Sequence, residues 1–216
     1  MTQHRKGLVL DFGGVLTTPL LPAALAFEKR EGLAEGALLT DVYLNPEGVR
    51  ITNELECGTL TQTQWNEVAG RLLGVAPDNL MGRIFADLSP EPSVIAAAAA
   101  ARRAGIPVGI LSNSVGPSPW NLYGGYAVDE LYDAVVLSET HGIRKPEPAI
   151  FHLVLEELGL RAEECVFVDD TEQHLRPAEA LGFATVHAVE PARTVAALEE
   201  LLGIPLTDEH RDRVTP

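Results

Sequence analysis

Asp11, Ser112, Lys145 and the adjacent pair Asp169 and Asp170 are the residues whose types could do chemistry together: three carboxylates, one hydroxyl and one ammonium. A carboxylate attacks an electrophile or holds a hard cation, an ammonium neutralises an anion, and a hydroxyl hydrogen-bonds to it. Two successive carboxylates at the end of a buried strand repel each other unless a cation lies near them. Taken singly, each residue also has a plain explanation: a turn cap, a strand-ending hydroxyl, a solvated lysine, an exposed acidic turn. What sets them apart is their position. Asp11 follows Leu8-Val9-Leu10, Ser112 follows PVGIL at Pro107 to Leu111, and Asp169 follows CVFV at Cys165 to Val168. Lys145 lies in the polar loop, Ser138 to Pro146, that follows a further apolar run at Ala134 to Leu137. In a parallel sheet the C-terminal strand ends share one edge, so these groups can meet in a single crevice.

The elements that must position them alternate from Ser93 onward. Helices are expected at Val94 to Ala104, with six consecutive alanines for close packing on a sheet, and at Glu147 to Leu158, Glu172 to Leu181 and Thr194 to Leu202. Strands are expected at Leu8 to Leu10, Pro107 to Leu111, Ala134 to Leu137, Cys165 to Val168 and Ala184 to His187. This spacing predicts an α/β fold, a Rossmann-like parallel sheet sandwiched by helices. Thr17 to about Leu88 reads as helices without a convincing strand: Leu21 to Arg30, a polar-apolar alternation at Gly48 to Cys57, a helix capped at Thr61 and running to Leu73, and another from Pro77 through Ala86. Ser89 to Pro92 then breaks the chain. The expected organisation is therefore a core of residues 1–17 and 90–216 with a small all-helical cap domain, 18–89, inserted into it. Thr207 to Pro216 reads as a frayed polar tail.

With 46% hydrophobic and 22% charged residues the chain has the composition of a soluble globular protein. The formal charge of −15 and the lack of a basic stretch argue against nucleic acid as a partner. No apolar run is long enough for a membrane span, and the start of the chain lacks a signal-peptide core. Cys57 and Cys165 show no metal-type spacing and suit reduced thiols, so a cytoplasmic location is expected. The oligomeric state is not legible.

The segments LVLDFGGVL at Leu8 to Leu16, GILSNS at Gly109 to Ser114, RKPEPAIF at Arg144 to Phe151 and VFVDD at Val166 to Asp170 occur in this order. Together they resemble the four motifs of the haloacid dehalogenase-like hydrolases, in the branch with a helical cap after the first motif. The resemblance implies that Asp11 is a nucleophile forming an aspartyl-phosphate, with Ser112 and Lys145 as its catalytic partners. It implies phosphate binding by Phe12, Gly13, Ser112, Asn113 and Lys145, and Mg²⁺ as cofactor, with ligands from Asp11, the Gly13 carbonyl and Asp170. Asp169 belongs to the same metal site, more as the group that orients water or Lys145. The expected partner is a small phosphorylated metabolite.

One departure stands out. Family phosphatases usually carry a second aspartate two positions after the nucleophile, as general acid and base; here that residue is Gly13, and Val15 stands where threonine is common. Lost acid-base help is worth about 10²–10⁴ in rate. The departure disfavours phosphomutase action and leaves three expectations: a Mg²⁺-dependent phosphatase with a good leaving group, a metal-free 2-haloacid dehalogenase, or a catalytically weak phosphate-binding regulator. Glu139 or His141 could substitute as acid, although a solvated loop position is the commoner fate of each. Trp120, Tyr123 and Tyr126 could stack on a substrate or pack beneath their loop. His174 is expected to support the fourth motif's loop.

Overall fold

The computed structural model describes residues 4–207; the expected frayed tail, from residue 208 on, lies outside them. After β1 (Gly7–Leu10) come α1 (Leu20–Glu31), a π-helical turn (Leu38–Tyr43), α2 (Pro46–Glu56), α3 (Gln62–Leu73) and α4 (Leu80–Ile84). The alternating part follows: α5 (Pro92–Arg103), β2 (Val108–Ser112), α6 (Val128–Leu131), β3 (Ala134–Leu137), α7 (Ser138–His141) and α8 (Pro148–Leu158). It closes with β4 (Cys165–Asp169), α9 (Glu172–Leu181), β5 (Ala184–His187) and α10 (Pro191–Leu202).

All strand pairs are parallel, in the order β3-β2-β1-β4-β5. β1 is central because its four residues are all buried and apolar or glycine, so it can accept a neighbour on each edge and a helix layer on each face. Side-chain alternation sorts the layers: Leu8, Leu10, Val166 and Val168 pack with α5 and α10, whereas Val9, Cys165 and Phe167 pack with α8 and α9. From β1 the chain builds β2 and β3 on one side, then returns to place β4 on the other. The strand order reverses between β1 and β4, where open α/β sheets bind ligands.

Residues 20–84 supply helices and gather a separate apolar cluster around Phe27, Ile51, Leu55, Trp65, Leu80 and Ile84. The alternation at Gly48 to Cys57 is helical: Gly48, Ile51 and Leu55 are the buried positions of α2, spaced by three and four. The π-helical turn was not expected. It is held by Glu28, whose carboxylate accepts the Gly36 and Leu38 N–H groups at 2.8 Å each, a tertiary device with no local signature. The expected cap of α3 forms as a reciprocal box between Thr61 and Gln64. Where this segment leaves and rejoins the sheet, Thr17 bridges Pro90, and the Thr18 and Glu91 amides donate to Ser89 and Leu16. Two further differences are local. The loop at Ser138 begins with the short α7, and α10 starts at Pro191 rather than Thr194, with proline fitting the first helical position. Among the described residues no helix is long and apolar enough to cross a membrane.

Candidate active site

The parallel register brings the tips of β1 and β4 side by side: Leu10 pairs with Val168, and the Asp11 amide donates to the Val168 carbonyl at 2.9 Å. Into this gap the loop before α8 delivers Lys145, which has no solvent exposure. Its Nζ lies 2.9 Å from Asp11 Oδ1 and 2.6 Å from Asp169 Oδ2. The Lys145 backbone is fixed from β2's side, since its N–H donates to Asn113 Oδ1 at 2.8 Å while Asn113 Nδ2 donates back to its carbonyl at 3.1 Å. The strand ends therefore hold the lysine at both its backbone and its tip.

Asp11 Oδ1 also accepts the Phe12 N–H at 2.7 Å, and among the described residues Oδ2 has no hydrogen-bond partner and is left to the cavity. Burial pushes the Asp11 carboxyl well above the usual carboxylate range; Lys145 pulls it down, and Asp169 and Asp170 push it up again. Asp169 behaves differently. Burial works against its charge too, yet Lys145 and His174 hold it down at about 2. Its oxygens are fully engaged, by Lys145, by the Thr171 N–H at 2.8 Å and by His174 Nδ1 at 3.0 and 3.1 Å. His174 thus braces the loop after β4, as expected.

Asp170 completes the acidic set. One oxygen accepts the Thr171 hydroxyl at 3.1 Å, while the other lies so close over Gly14 that a Cβ there would fall 2.3 Å from it. Gly14 also has φ +74°, so glycine is required at this point on both counts. Asp170 is raised by burial and by the Asp169 charge. Three carboxylates face one ammonium, and Asp11, Asp169 and His174 present ligand atoms within 4.8 Å of one another. The carboxylate oxygens are the hard donors that Mg²⁺ prefers, and Asp11 Oδ2, at the mouth of the cavity, is not committed to another side chain as the Asp169 oxygens are.

The cavity above Asp11 measures about 370 Å³ and is also lined by Gly13, Ser112, Asn113 and Asp170. Ser112 Oγ accepts the Tyr123 hydroxyl at 2.9 Å. Tyr123 and Tyr126 pack edge-on against Phe12, with ring centroids 4.6 and 4.7 Å away, so these two aromatics brace the loop. Trp120 instead lines the cavity, stacked on Phe85 at 5.7 Å. It is fixed there by Gln62 of α3, which accepts its N–H at 2.8 Å and donates to its carbonyl at 3.0 Å.

Glu139 and His141 do not line the cavity. They sit on α7, which packs toward α2 around Gly58, and so they are not placed as substitute acids. The cavity holds instead a carboxyl that sequence reasoning missed, Glu56 of α2, raised by burial and ion-paired at 2.6 Å with Arg144 Nε. Arg144 also bonds Asn53, so the residue before Lys145 ties the strand-end loop to α2. Nothing in the local pattern around Glu56 marks it; only the folding of residues 20–84 over the strand ends brings it in. The nearest atoms to a Cβ at Gly13 would be the Leu20 methyls, at 3.5 and 3.6 Å.

A family model of haloacid dehalogenase-like hydrolases matches residues 5–182. The chain belongs to this family. Mouse acyl-CoA dehydrogenase family member 10 and rat bifunctional epoxide hydrolase 2 are each 28% identical to it, over 93% and 89% of this chain. The chain spans only 19% and 38% of those two proteins' lengths. A sesquiterpene phosphatase of Aspergillus oryzae is 24% identical over 92% of this chain and 97% of its own. Among solved structures, a family enzyme of Bacteroides thetaiotaomicron superposes with a TM-score of 0.67 at 23% identity, over 87% of this chain and 96% of that one. The L-2-haloacid dehalogenase of Xanthobacter autotrophicus gives 0.61 at 24% identity, over 84% and 76%. At these identities the two structures speak for the fold.

Proposed function

We propose that this hydrolase is a Mg²⁺-dependent phosphatase of small organic phosphate monoesters, acting through an aspartyl-phosphate on Asp11, with residues 18–89 as a cap over the site. The observation that carries this reading is the buried Asp11–Lys145–Asp169 chain at the point where the strand order reverses, with Asp170 beside it. Asp11 and Asp170, with the Gly13 carbonyl, would hold the cation and Asp169 would position Lys145. The Bacteroides enzyme of the same fold has been solved with magnesium and inorganic phosphate, which supports this choice of cofactor. Held there, Mg²⁺ would supply charge neutralisation for the phosphoryl oxygens.

The chain's own residues do the rest. Lys145 and the Phe12 N–H hold Asp11 Oδ1, so Oδ2 is the oxygen that attacks phosphorus as the ester bond breaks. Ser112, the Asn113 backbone N–H and Lys145 bind the phosphoryl oxygens, positioning being most of what phosphoryl transfer requires. Water then attacks phosphorus, releasing phosphate and restoring the Asp11 carboxylate. With Leu20 methyls beyond Gly13 no carboxyl stands two residues after the nucleophile, and esters with good leaving groups react fastest.

The same apolar surface favours a second reading, in which Asp11 displaces halide from a 2-haloacid, a leaving group that needs no proton. Hydrolysis of acetyl and 4-nitrophenyl phosphate, with Mg²⁺ and with a chelator, separates the two. The phosphatase reading expects metal-dependent phosphate release that Asp11→Asn abolishes. Chloride release without metal from a 2-chloroacid, and no phosphate release, would replace it with the second.

A further inference from the structure

We propose that the organic half of the substrate carries a neutral hydroxyl group, held between Tyr43 and Glu56 on the wall of the cavity across from the strand ends. This rests on the phosphatase reading above and adds to it a pair of residues that determine specificity.

The groups assigned to the phosphate all lie outside residues 20–84, yet that segment also sends polar side chains into the cavity: Tyr43, Thr52 and Glu56. Thr52 and Glu56 stand four residues apart on α2 and so share a face. The Thr52 oxygen accepts the Trp65 indole N–H at 3.0 Å. Glu56 turns Oε2 to Arg144 Nε at 2.6 Å, in a contact sealed from solvent, while Oε1 makes no hydrogen bond among the described residues. The Tyr43 hydroxyl makes none either. Burial and the nearby Glu56 charge raise the Tyr43 phenol, so it keeps its proton and can donate. Enclosed polar groups without partners are a cost that a complementary ligand atom removes.

The placement of the two groups is built into the fold. Tyr43 is the last residue of the π-helical turn, a rare geometry that recurs at functional sites. The buried Glu28 carboxylate commits both oxygens to the start of that turn. α2 then lies directly against it: a Cβ at Gly48 would overlap the Val42 carbonyl, so only glycine allows so close an approach. Tyr43 and Glu56 are thereby held in one rigid arrangement. Their chemistry selects what fits between them. Glu56, ion-paired with Arg144, disfavours a second phosphate or carboxylate, and because its charge is already matched it does not call for an ammonium. A neutral hydroxyl answers both groups, donating to Glu56 Oε1 and accepting from Tyr43. A methyl in its place would leave both unpaired, which is the basis on which such sites reject the analogue that lacks the hydroxyl.

The test is kcat/KM for hydroxymethylphenyl phosphates against the ethylphenyl phosphates that replace the hydroxyl by a methyl, substituted ortho, meta and para, with 4-nitrophenyl phosphate reporting whether the site turns over. Both members of a pair release a phenol, so their ratio reads recognition of the hydroxyl rather than the quality of the leaving group. The hydroxymethyl ester is expected to lead by at least about tenfold at one ring position or more. Within Tyr43→Phe, which keeps the ring and removes only an unbonded hydroxyl, that ratio is expected to fall to near one. No lead at any position while 4-nitrophenyl phosphate is cleaved, or an unchanged ratio in Tyr43→Phe, overturns the inference and leaves the phosphatase reading intact. Should no ester be cleaved, the phosphatase reading fails. Calorimetric binding of the matching phenylphosphonates then decides the inference alone: tighter binding of a hydroxymethyl compound that Tyr43→Phe loses supports it, and equal binding of the pairs, or a preference that Tyr43→Phe retains, overturns it.

Discussion

The strand-end cluster and the helical segment that faces it use side chains in opposite ways. At the strand ends the polar groups are committed to one another: Lys145 bridges two aspartates, Asn113 clasps the Lys145 backbone, and His174 braces Asp169. Across the cavity, residues 20–84 offer mainly leucine, methionine and aromatic surface, joined to the sheet side by the Gln62–Trp120 and Arg144–Glu56 contacts. One region fixes charges whose positions decide what reaction is possible. The other shapes a space and so decides which molecule enters it. Buried charges must be paired to be tolerated, whereas an apolar wall tolerates exchange of one hydrocarbon side chain for another.

The sharpest way to break this contrast is Lys145→Met. It leaves Asp11 and Asp169 buried without their shared cation, so phosphatase turnover should fall by at least about 10³-fold. Stability should drop by about 3–5 kcal/mol, read from denaturant unfolding. A stable, active variant would mean that the charges are not coupled as described. Gly13→Asp sharpens the contrast from the other side, because it puts a carboxyl where Leu20 methyls now bound the space. The backbone there is not left-handed and the added Cβ makes only ordinary contacts, so the variant should fold. Hydrolysis of simple alkyl esters should rise by about 10²-fold or more, with little change for acetyl phosphate, whose leaving group needs no proton. A folded variant with unchanged rates would show that proton transfer is handled elsewhere.

Arg144→Gln tests the seam between the two regions and carries the smallest effect. Burial raises the Glu56 carboxyl, with Arg144, His174 and Lys145 opposing the shift. A carboxyl raised on folding favours the native state at low pH and withdraws that support as pH climbs through its folded value. Removing Arg144 raises Glu56 further, so the variant should lose stability relative to wild type as pH rises above the ordinary carboxylate range, by about 1–3 kcal/mol at the upper end. A pH-independent difference in thermal unfolding would contradict the burial of that pair.

The two regions also differed in how readily the sequence disclosed them. A five-strand parallel sheet was legible because each strand is a short apolar run ending at a turn. Asp11, Ser112 and Asp169 were legible because each stands directly after such a run. Asp170 and Lys145 followed from the same logic plus the order of the four motifs. Residues 20–84 disclosed their helices but not their function. Glu28 stabilises the π-helical turn, Gln62 sets Trp120, and Glu56 enters the cavity, all through partners distant in sequence. Glu139 and His141 looked chemically apt from their loop, yet α7 packs toward α2 and keeps them from the cavity. Trp120, Tyr123 and Tyr126 shared one pattern and divided in space, one lining the cavity and two bracing Phe12.

The most direct measurement is a mass map of the acid-quenched protein after mixing with excess acetyl phosphate and Mg²⁺. A phosphoryl adduct on Asp11, absent with chelator and absent from Asp11→Asn, is the predicted result. Turnover without an adduct on Asp11, or with the adduct on another residue, would contradict it.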